Sequence, residues 1–198
     1  MTIKDDLIKK GVVQRGHFKL SSGFHSDTYI NKDLIYVYPD LYDRLSEEIA
    51  SSISDNMYAE QVDVIVGLEK GSIPLASAIA ILVDRSFVYA DKKNNNFMFR
   101  KSYIPFIAEK KIVIIEDILT TGKSLLKAIR AVEKIGGEVT NIFCIWNRNA
   151  KLSHINNLKI NSLINEKVGY WRKEECSLCS KRKKFTVIKW GFINVKGQ

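Results

Sequence analysis

The chain has 198 residues, 31 of them basic and 22 acidic, for a formal charge of +9. That length suits one domain with a sizeable core, and 45% apolar with 27% charged residues excludes disordered and fibrous classes. No apolar run approaches the roughly 20 residues that cross a bilayer, and the start lacks a signal-peptide stretch, so a cytoplasmic protein with no membrane partner is expected.

Thr2 with Asp5 three residues on has the pattern of a capping box, and Gly11 closes the short helix that follows. His17 to Asn31, rich in Ser, Gly and aromatics, predicts two short strands joined by a turn at Ser22-Gly23. From Pro39 to about Met57, Leu41, Leu45, Ile49 and Ile53 repeat every four positions, which predicts an amphipathic helix. Val62 to Val66 is a β-branched run, Gly67-Leu68-Glu69-Lys70-Gly71 a loop, and Ser72 to Val83 a nearly all-apolar, buried helix. Phe87 to Ala90 predicts a strand that turns through the polar stretch Asp91–Asn96 into Phe97-Met98-Phe99, a hairpin. Lys111 to Ile115 is a further strand. The helix after Gly122 carries Leu125, Ile129 and Val132 on one face and stops at Gly136-Gly137, before a strand from Val139 to Trp146. Alternating strands and helices predict βαβ units, hence an α/β fold with an open, mostly parallel sheet flanked by helices. No repeat or Pro/Gly linker divides the chain, so residues 1–198 are expected to form a single domain.

The stretch with the most chemistry is Ile112-Val113-Ile114-Ile115-Glu116-Asp117-Ile118-Leu119-Thr120-Thr121-Gly122-Lys123-Ser124. An apolar strand delivers two carboxylates to its carboxyl end, and a loop of small residues opens the next helix. Ligands of open α/β sheets bind at the carboxyl ends of strands, and a helix N-terminus aims backbone N–H groups at a phosphate. A nucleotide-triphosphate loop would need Gly five residues before Gly122, where Asp117 stands. Carboxylates beside a phosphate loop suit a ligand with a phosphate at one end and vicinal hydroxyls, the layout of a ribose 5-phosphate.

This block resembles the 5-phosphoribosyl diphosphate (PRPP) signature of type I phosphoribosyltransferases. Gly67–Gly71 resembles the diphosphate loop of that family. Gly16-His17-Phe18-Lys19-Leu20-Ser21-Ser22-Gly23-Phe24-His25-Ser26-Asp27-Thr28-Tyr29 resembles the base-capping segment of orotate phosphoribosyltransferases. Met98–Tyr103, Asn147-Arg148 and Glu174-Glu175-Cys176-Ser177-Leu178-Cys179 resemble stretches of one short-loop bacterial and archaeal branch. Departures are Asn147 in place of Asp, Ser102 and Lys123 where Gly is frequent, and the polar turn Asp91–Asn96 in place of a longer basic loop.

The resemblance implies a phosphoribosyltransferase fold with a base-capping segment over about residues 1–38 and a PRPP-binding core over about 60–148. It implies transfer of the phosphoribosyl group from PRPP to orotate, giving orotidine 5′-monophosphate and diphosphate. Lys70, Glu116 and Asp117 would be catalytic. PRPP would meet Lys70, Glu116, Asp117, Ile118, Leu119, Thr120, Thr121, Gly122, Lys123 and Ser124, with Lys92, Lys93, Arg100 and Lys101 as candidates for the diphosphate. Orotate would meet Thr120, Arg148, Ser22 and Gly23. Mg²⁺ is expected to arrive on PRPP, not on protein side chains. The expected assembly is a homodimer sharing its basic loop. A transferase for a purine or another base, and a PRPP-sensing regulator that binds nucleic acid, are the alternatives.

Two features lie outside that scheme. From Lys167 to Gln198 stand nine Lys or Arg against two Glu, centred on Lys181-Arg182-Lys183-Lys184; such a stretch serves phosphorylated ligands, nucleic acid or solvent alike, and no specific nucleic acid is expected. The three cysteines are too few for a disulfide framework. Cys176 and Cys179 have the spacing of half a zinc site, but no Cys or His pair follows them, so a metal-free pair is expected, with His17 and His25 as structural or base-pocket groups.

Overall fold

In the computed structural model, which describes residues 1–55, 62–189 and 192–194, the chain divides into two units: Met1–Ile35 with Lys167–Gln198, and Tyr36–Glu166. In chain order the elements are α1 (Ile3–Lys9), β1 (Val13–Lys19), β2 (His25–Ile30), α2 (Pro39–Ser54), β3 (Val64–Leu68) and α3 (Ile73–Leu82). Then come β4 (Ser86–Lys93), β5 (Asn96–Met98), α4 (Ile104–Ile107), β6 (Lys111–Leu119), α5 (Lys123–Glu133) and β7 (Glu138–Asn147). The chain ends with β8 (His154–Ile155), β9 (Leu158–Asn165), β10 (Tyr170–Trp171), α6 (Ser177–Ser180), β11 (Thr186–Lys189) and β12 (Phe192–Asn194). Among the described residues no helix is long and apolar enough to cross a membrane.

In the unit Tyr36–Glu166 a seven-stranded sheet has the order β5-β4-β3-β6-β7-β9-β8. Its five central strands are parallel, and the two edge strands run antiparallel to their neighbours. The parallel strands therefore read 2-1-3-4-5, the doubly wound order whose reversal lies between its first and third strands. Those are β3 and β6, so the loops leaving their carboxyl ends flank the natural crevice.

Side chains alternate across this sheet. Val64, Val66 and Leu68 of β3 and Ile112 and Ile114 of β6 share one core with Leu125, Ala128, Ile129 and Val132 of α5. The opposite face of β3 receives α3, where a Cβ on Gly67 would stand 2.9 Å from Ala76 Cβ and 3.1 Å from Ile73 Cα. A side chain at 67 would thus push α3 off the sheet.

The stripe Leu41, Leu45, Ile49 and Ile53 of α2 is buried as its spacing predicts; Asn56 and Met57, read as its last residues, lie outside the described residues. Two strand boundaries differ from expectation. The hairpin turn is only Asn94-Asn95, both at positive φ (49° and 61°), so β4 runs on to Lys93 and β5 restarts at Asn96. Two left-handed residues in succession make the tight turn whose twist matches the flanking strands. β6 continues to Leu119, past the apolar run, because its ladder with β7 persists through Glu116↔Cys144 and Leu119↔Asn147.

In the other unit, α1 carries the predicted capping box, with Asp5 N–H donating to Thr2 Oγ1 at 3.1 Å. A five-stranded sheet has the order β10-β2-β1-β11-β12. β1 pairs antiparallel with β2 and parallel with β11, so both ends of the chain build one sheet. Leu7, Val13, Phe18 and Ile188 are buried in this unit.

Candidate active site

The loop after β6 begins the site. Gly122 caps α5 in the left-handed conformation, φ 75°, and has no side chain with which to bond the first-turn amides. Those amides have no acceptor within the helix, so they present N–H groups and the positive end of the helix dipole. Thr120, Thr121, Lys123 and Ser124 are exposed around them. Glu116, Ile118, Leu119 and Thr120 to Leu125 line a concavity of about 70 Å³. A Cβ on Gly122 would meet Ile155 Cδ1 at 2.7 Å and Leu152 Cδ2 at 3.1 Å. Gly122→Ala is therefore expected to lose about 1–3 kcal/mol of stability from left-handed strain and crowding, and to weaken phosphate-ligand binding with it. Chemical denaturation together with PRPP titration checks both effects; an unshifted midpoint would show that the turn relaxes freely.

The carboxylate pair differs from expectation in placement. Glu116 and Asp117 are not the end of the strand but lie inside β6, where alternation sends them to opposite faces. Glu116 is half-buried and lines the concavity. Asp117 is 1% exposed, and its Oδ1 accepts the Ile118 N–H at 2.6 Å. Beside them, burial first and then the charges of Glu116 and Asp117 drive the Cys144 thiol far above its ordinary pKa. It stays protonated and is no nucleophile.

The loop after β3 is the second part. Ser72 closes it, accepting the Leu68 N–H at 2.8 Å and donating to the Leu68 carbonyl at 3.0 Å. The Glu69–Lys70 peptide is cis. The Glu69 carboxylate accepts the Lys92 N–H and Glu69 N–H donates to the Ala90 carbonyl, which fixes this loop to the end of β4. Tyr36 O–H donates to the Gly71 carbonyl from the other side. Lys70 and Lys92 are exposed, so loop and strand end present cations beside the crevice.

Arg100 is held against β4 instead, 3.4 Å from Asp91 Oδ2 and 5.3 Å over the Tyr89 ring. Lys93 and Lys101 are exposed. Arg148 is half-buried, and its backbone N–H donates to the Leu119 carbonyl at 2.8 Å, which brings it to the residue preceding Thr120. Ser22 and Gly23 lie, exposed, in the β1–β2 turn of the other unit, closed by Gly23 N–H donating to Leu20 O at 2.9 Å.

Three supporting residues escaped the sequence. Asn147, noted only as a replacement for Asp, is buried; its amide donates to the Leu152 carbonyl at 2.9 Å while its Oδ1 accepts the Asn149 N–H at 3.0 Å. It shapes the loop that carries Arg148. Glu69 and Tyr36 had no visible signal, because their partners are backbone groups distant in sequence.

The premise behind a metal-free cysteine pair does not hold. The cysteine pair does have a histidine pair within reach: one ligand atom from each of His17, His25, Cys176 and Cys179 lies within 4.8 Å of the others. The histidines precede the cysteines by more than 150 residues, and the pairing of β1 with β11 and of β2 with β10 unites them.

Residues 39–174 match the family described as "Phosphoribosyl transferase domain". The chain is 31% identical over 172 residues to an orotate phosphoribosyltransferase of Caldanaerobacter subterraneus, covering 86% of this chain and 87% of that protein. It is 32% identical over 166 residues to one of Picrophilus torridus, covering 82% and 96%. The crystal structure of orotate phosphoribosyltransferase from Aeropyrum pernix superposes with a TM-score of 0.68 at 21% identity, covering 83% of this chain and 93% of the other.

Proposed function

Because the chain belongs to the orotate phosphoribosyltransferase family within the phosphoribosyl transferase domains, we propose that it transfers the phosphoribosyl group of PRPP to orotate. The products are orotidine 5′-monophosphate, a precursor of UMP, and diphosphate. The observation that carries this reading is the pair of loops at the crevice: a Gly-capped helix start behind Thr120–Ser124, and the Glu69–Ser72 loop beside it in the sheet.

The chemistry asks for no covalent nucleophile. As diphosphate departs, the sugar becomes cationic, so positioning and neutralisation of the leaving group carry the rate. The amides of Lys123, Ser124 and Leu125 hold the 5-phosphate. Glu116, at the concavity, accepts from ribose hydroxyls, with Asp117 behind it in the strand. Lys70 and Lys92 face the diphosphate. Arg148, next to Thr120, pairs with the orotate carboxylate. The donors around the concavity are oxygens of Glu116, Thr120, Thr121 and Ser124, which suit a hard cation that retains waters. Mg²⁺ carried on PRPP would supply charge neutralisation for the leaving diphosphate. A homodimer in the cytoplasm, with the β4–β5 hairpin of one copy completing the partner's site, is part of the same proposal.

The test is incubation with PRPP, Mg²⁺ and, in turn, orotate, hypoxanthine and adenine. Nucleotide and diphosphate should form with orotate and not with the purines. Turnover of a purine alone would overturn the base assignment, and PRPP binding without any turnover would make the protein a sensor.

A further inference from the structure

None of His17, His25, Cys176 and Cys179 is assigned to the reaction, yet the fold assembles them at one point. His17 sits at the irregularity in β1, between Arg15 and Phe18, where the register against β2 shifts. Bulges of this kind re-aim a side chain. His25 opens β2. Cys176 precedes α6 as its N-cap and Cys179 lies within its single turn, closed by Cys179 N–H donating to Cys176 O at 3.0 Å. All four belong to the unit built from both chain ends.

The separations decide what the cluster is. His17 Nε2 stands 3.5 Å from Cys176 Sγ and 3.6 Å from Cys179 Sγ, and His25 Nδ1 stands 3.3 Å from Cys179 Sγ. A tetrahedral zinc with bonds of about 2.05 Å to nitrogen and 2.3 Å to sulfur sets N···S edges of about 3.5 Å. The nitrogens, 2.8 Å apart, need to part by only about 0.5 Å to reach the N···N edge of the same tetrahedron.

Hydrogen bonding accounts for only part of this arrangement. His17 Nδ1 lies 2.9 Å from the Lys183 carbonyl, which can only accept, so Nδ1 carries the proton. In the neutral ring Nε2 is then left with one lone pair facing three groups. One lone pair serves one donor; a cation at the centre takes all four. The Lys183 carbonyl is also the kind of outer partner that fixes the tautomer of a metal-bound histidine. Phe185 stands edge-on to both imidazoles, centroids 5.5 and 5.1 Å away, and His17, His25 and Cys176 are buried while Cys179 is half-buried, so most of the cluster is withdrawn from water.

We propose that these four residues form a structural Zn²⁺ site that clamps the β1–β2 hairpin to the segment Cys176–Phe185. Binding converts both thiols to thiolates, releases their two protons to solvent, and leaves a site of zero net charge. Soft sulfur with imidazole in a closed four-ligand set selects zinc over the hard cations of phosphate chemistry.

The test uses the full chain, expressed with added zinc and purified without chelator. Elemental analysis should find about one zinc per chain, falling below about a tenth in Cys176→Ser/Cys179→Ser and in His17→Gln/His25→Gln. Cobalt added to metal-stripped wild-type protein should give the visible bands of a tetrahedral ion with sulfur-to-cobalt charge transfer. That spectrum is read on wild-type protein, so it decides the matter even if the variants do not fold. Metal-free protein that fails to take up zinc or cobalt, bound zinc unchanged in both variants, or a Cys176–Cys179 disulfide seen as loss of two hydrogens would each overturn the site. Iron in place of zinc on the same ligands would overturn the choice of metal.

Discussion

Removing either charge of the carboxylate pair, by Glu116→Gln or Asp117→Asn, is expected to cost about one to two orders of magnitude in kcat/KM for PRPP without unfolding the protein. Hydrogen bonds to a charged group contribute roughly 1.5–3 kcal/mol, and every 1.4 kcal/mol is tenfold. The two changes should differ in kind. Glu116 lines the concavity, so its loss should appear mainly in KM for PRPP. Asp117 is buried with Oδ1 accepting the Ile118 N–H; Asn keeps that acceptor and the volume, so the strand should hold while the buried charge disappears, and kcat should carry the loss. Steady-state kinetics beside a melting curve separates these effects. Near wild-type activity in both variants would remove the pair from the mechanism.

The second large effect is expected at Arg148. An orotate carboxylate placed in a partly buried site needs a cationic partner, since leaving it unpaired is costly. The Arg148 backbone is bonded to Leu119, directly before the loop proposed to hold the phosphate, and its planar fork suits a carboxylate. Arg148→Ala should raise KM for orotate about tenfold to a hundredfold and change KM for PRPP much less. Equal losses for both substrates would mean general damage to the loop, and an unchanged KM for orotate would place the base elsewhere.

The elements that carry the crevice were legible because their signals are local. The four-residue spacing of α2, the face Leu125, Ile129 and Val132 of α5, and the Thr-Thr-Gly loop each state their structure within a dozen residues. What was not legible depends on partners far along the chain. β6 reads as ending at Ile115 because polar residues follow, and only its ladder with β7 carries it to Leu119. β9 buries Ile160 and Ile164, but Asn161, Ser162 and Leu163 between them are all half-buried, so its alternation is weak, although the Asn156-Asn157 turn at its start repeats the chemistry of Asn94-Asn95. The histidine–cysteine cluster was hidden because a search for metal ligands downstream of Cys179 looks away from residues 17 and 25.

The pairing of Phe18 with Thr186 and Lys19 with Val187 also dictates an order of events during synthesis. Residues 36–166 are continuous and can collapse onto their sheet as they leave the ribosome, since domains generally fold as units and N-terminal parts emerge first. β1 and β2 emerge earlier still but gain their remaining neighbours, β10 and β11, only after that entire stretch has been made. Closing so long a loop is entropically slow, so two strands made before residues 36–166 are secured only after them, and meanwhile they present unpaired edges to any chaperone or neighbouring chain.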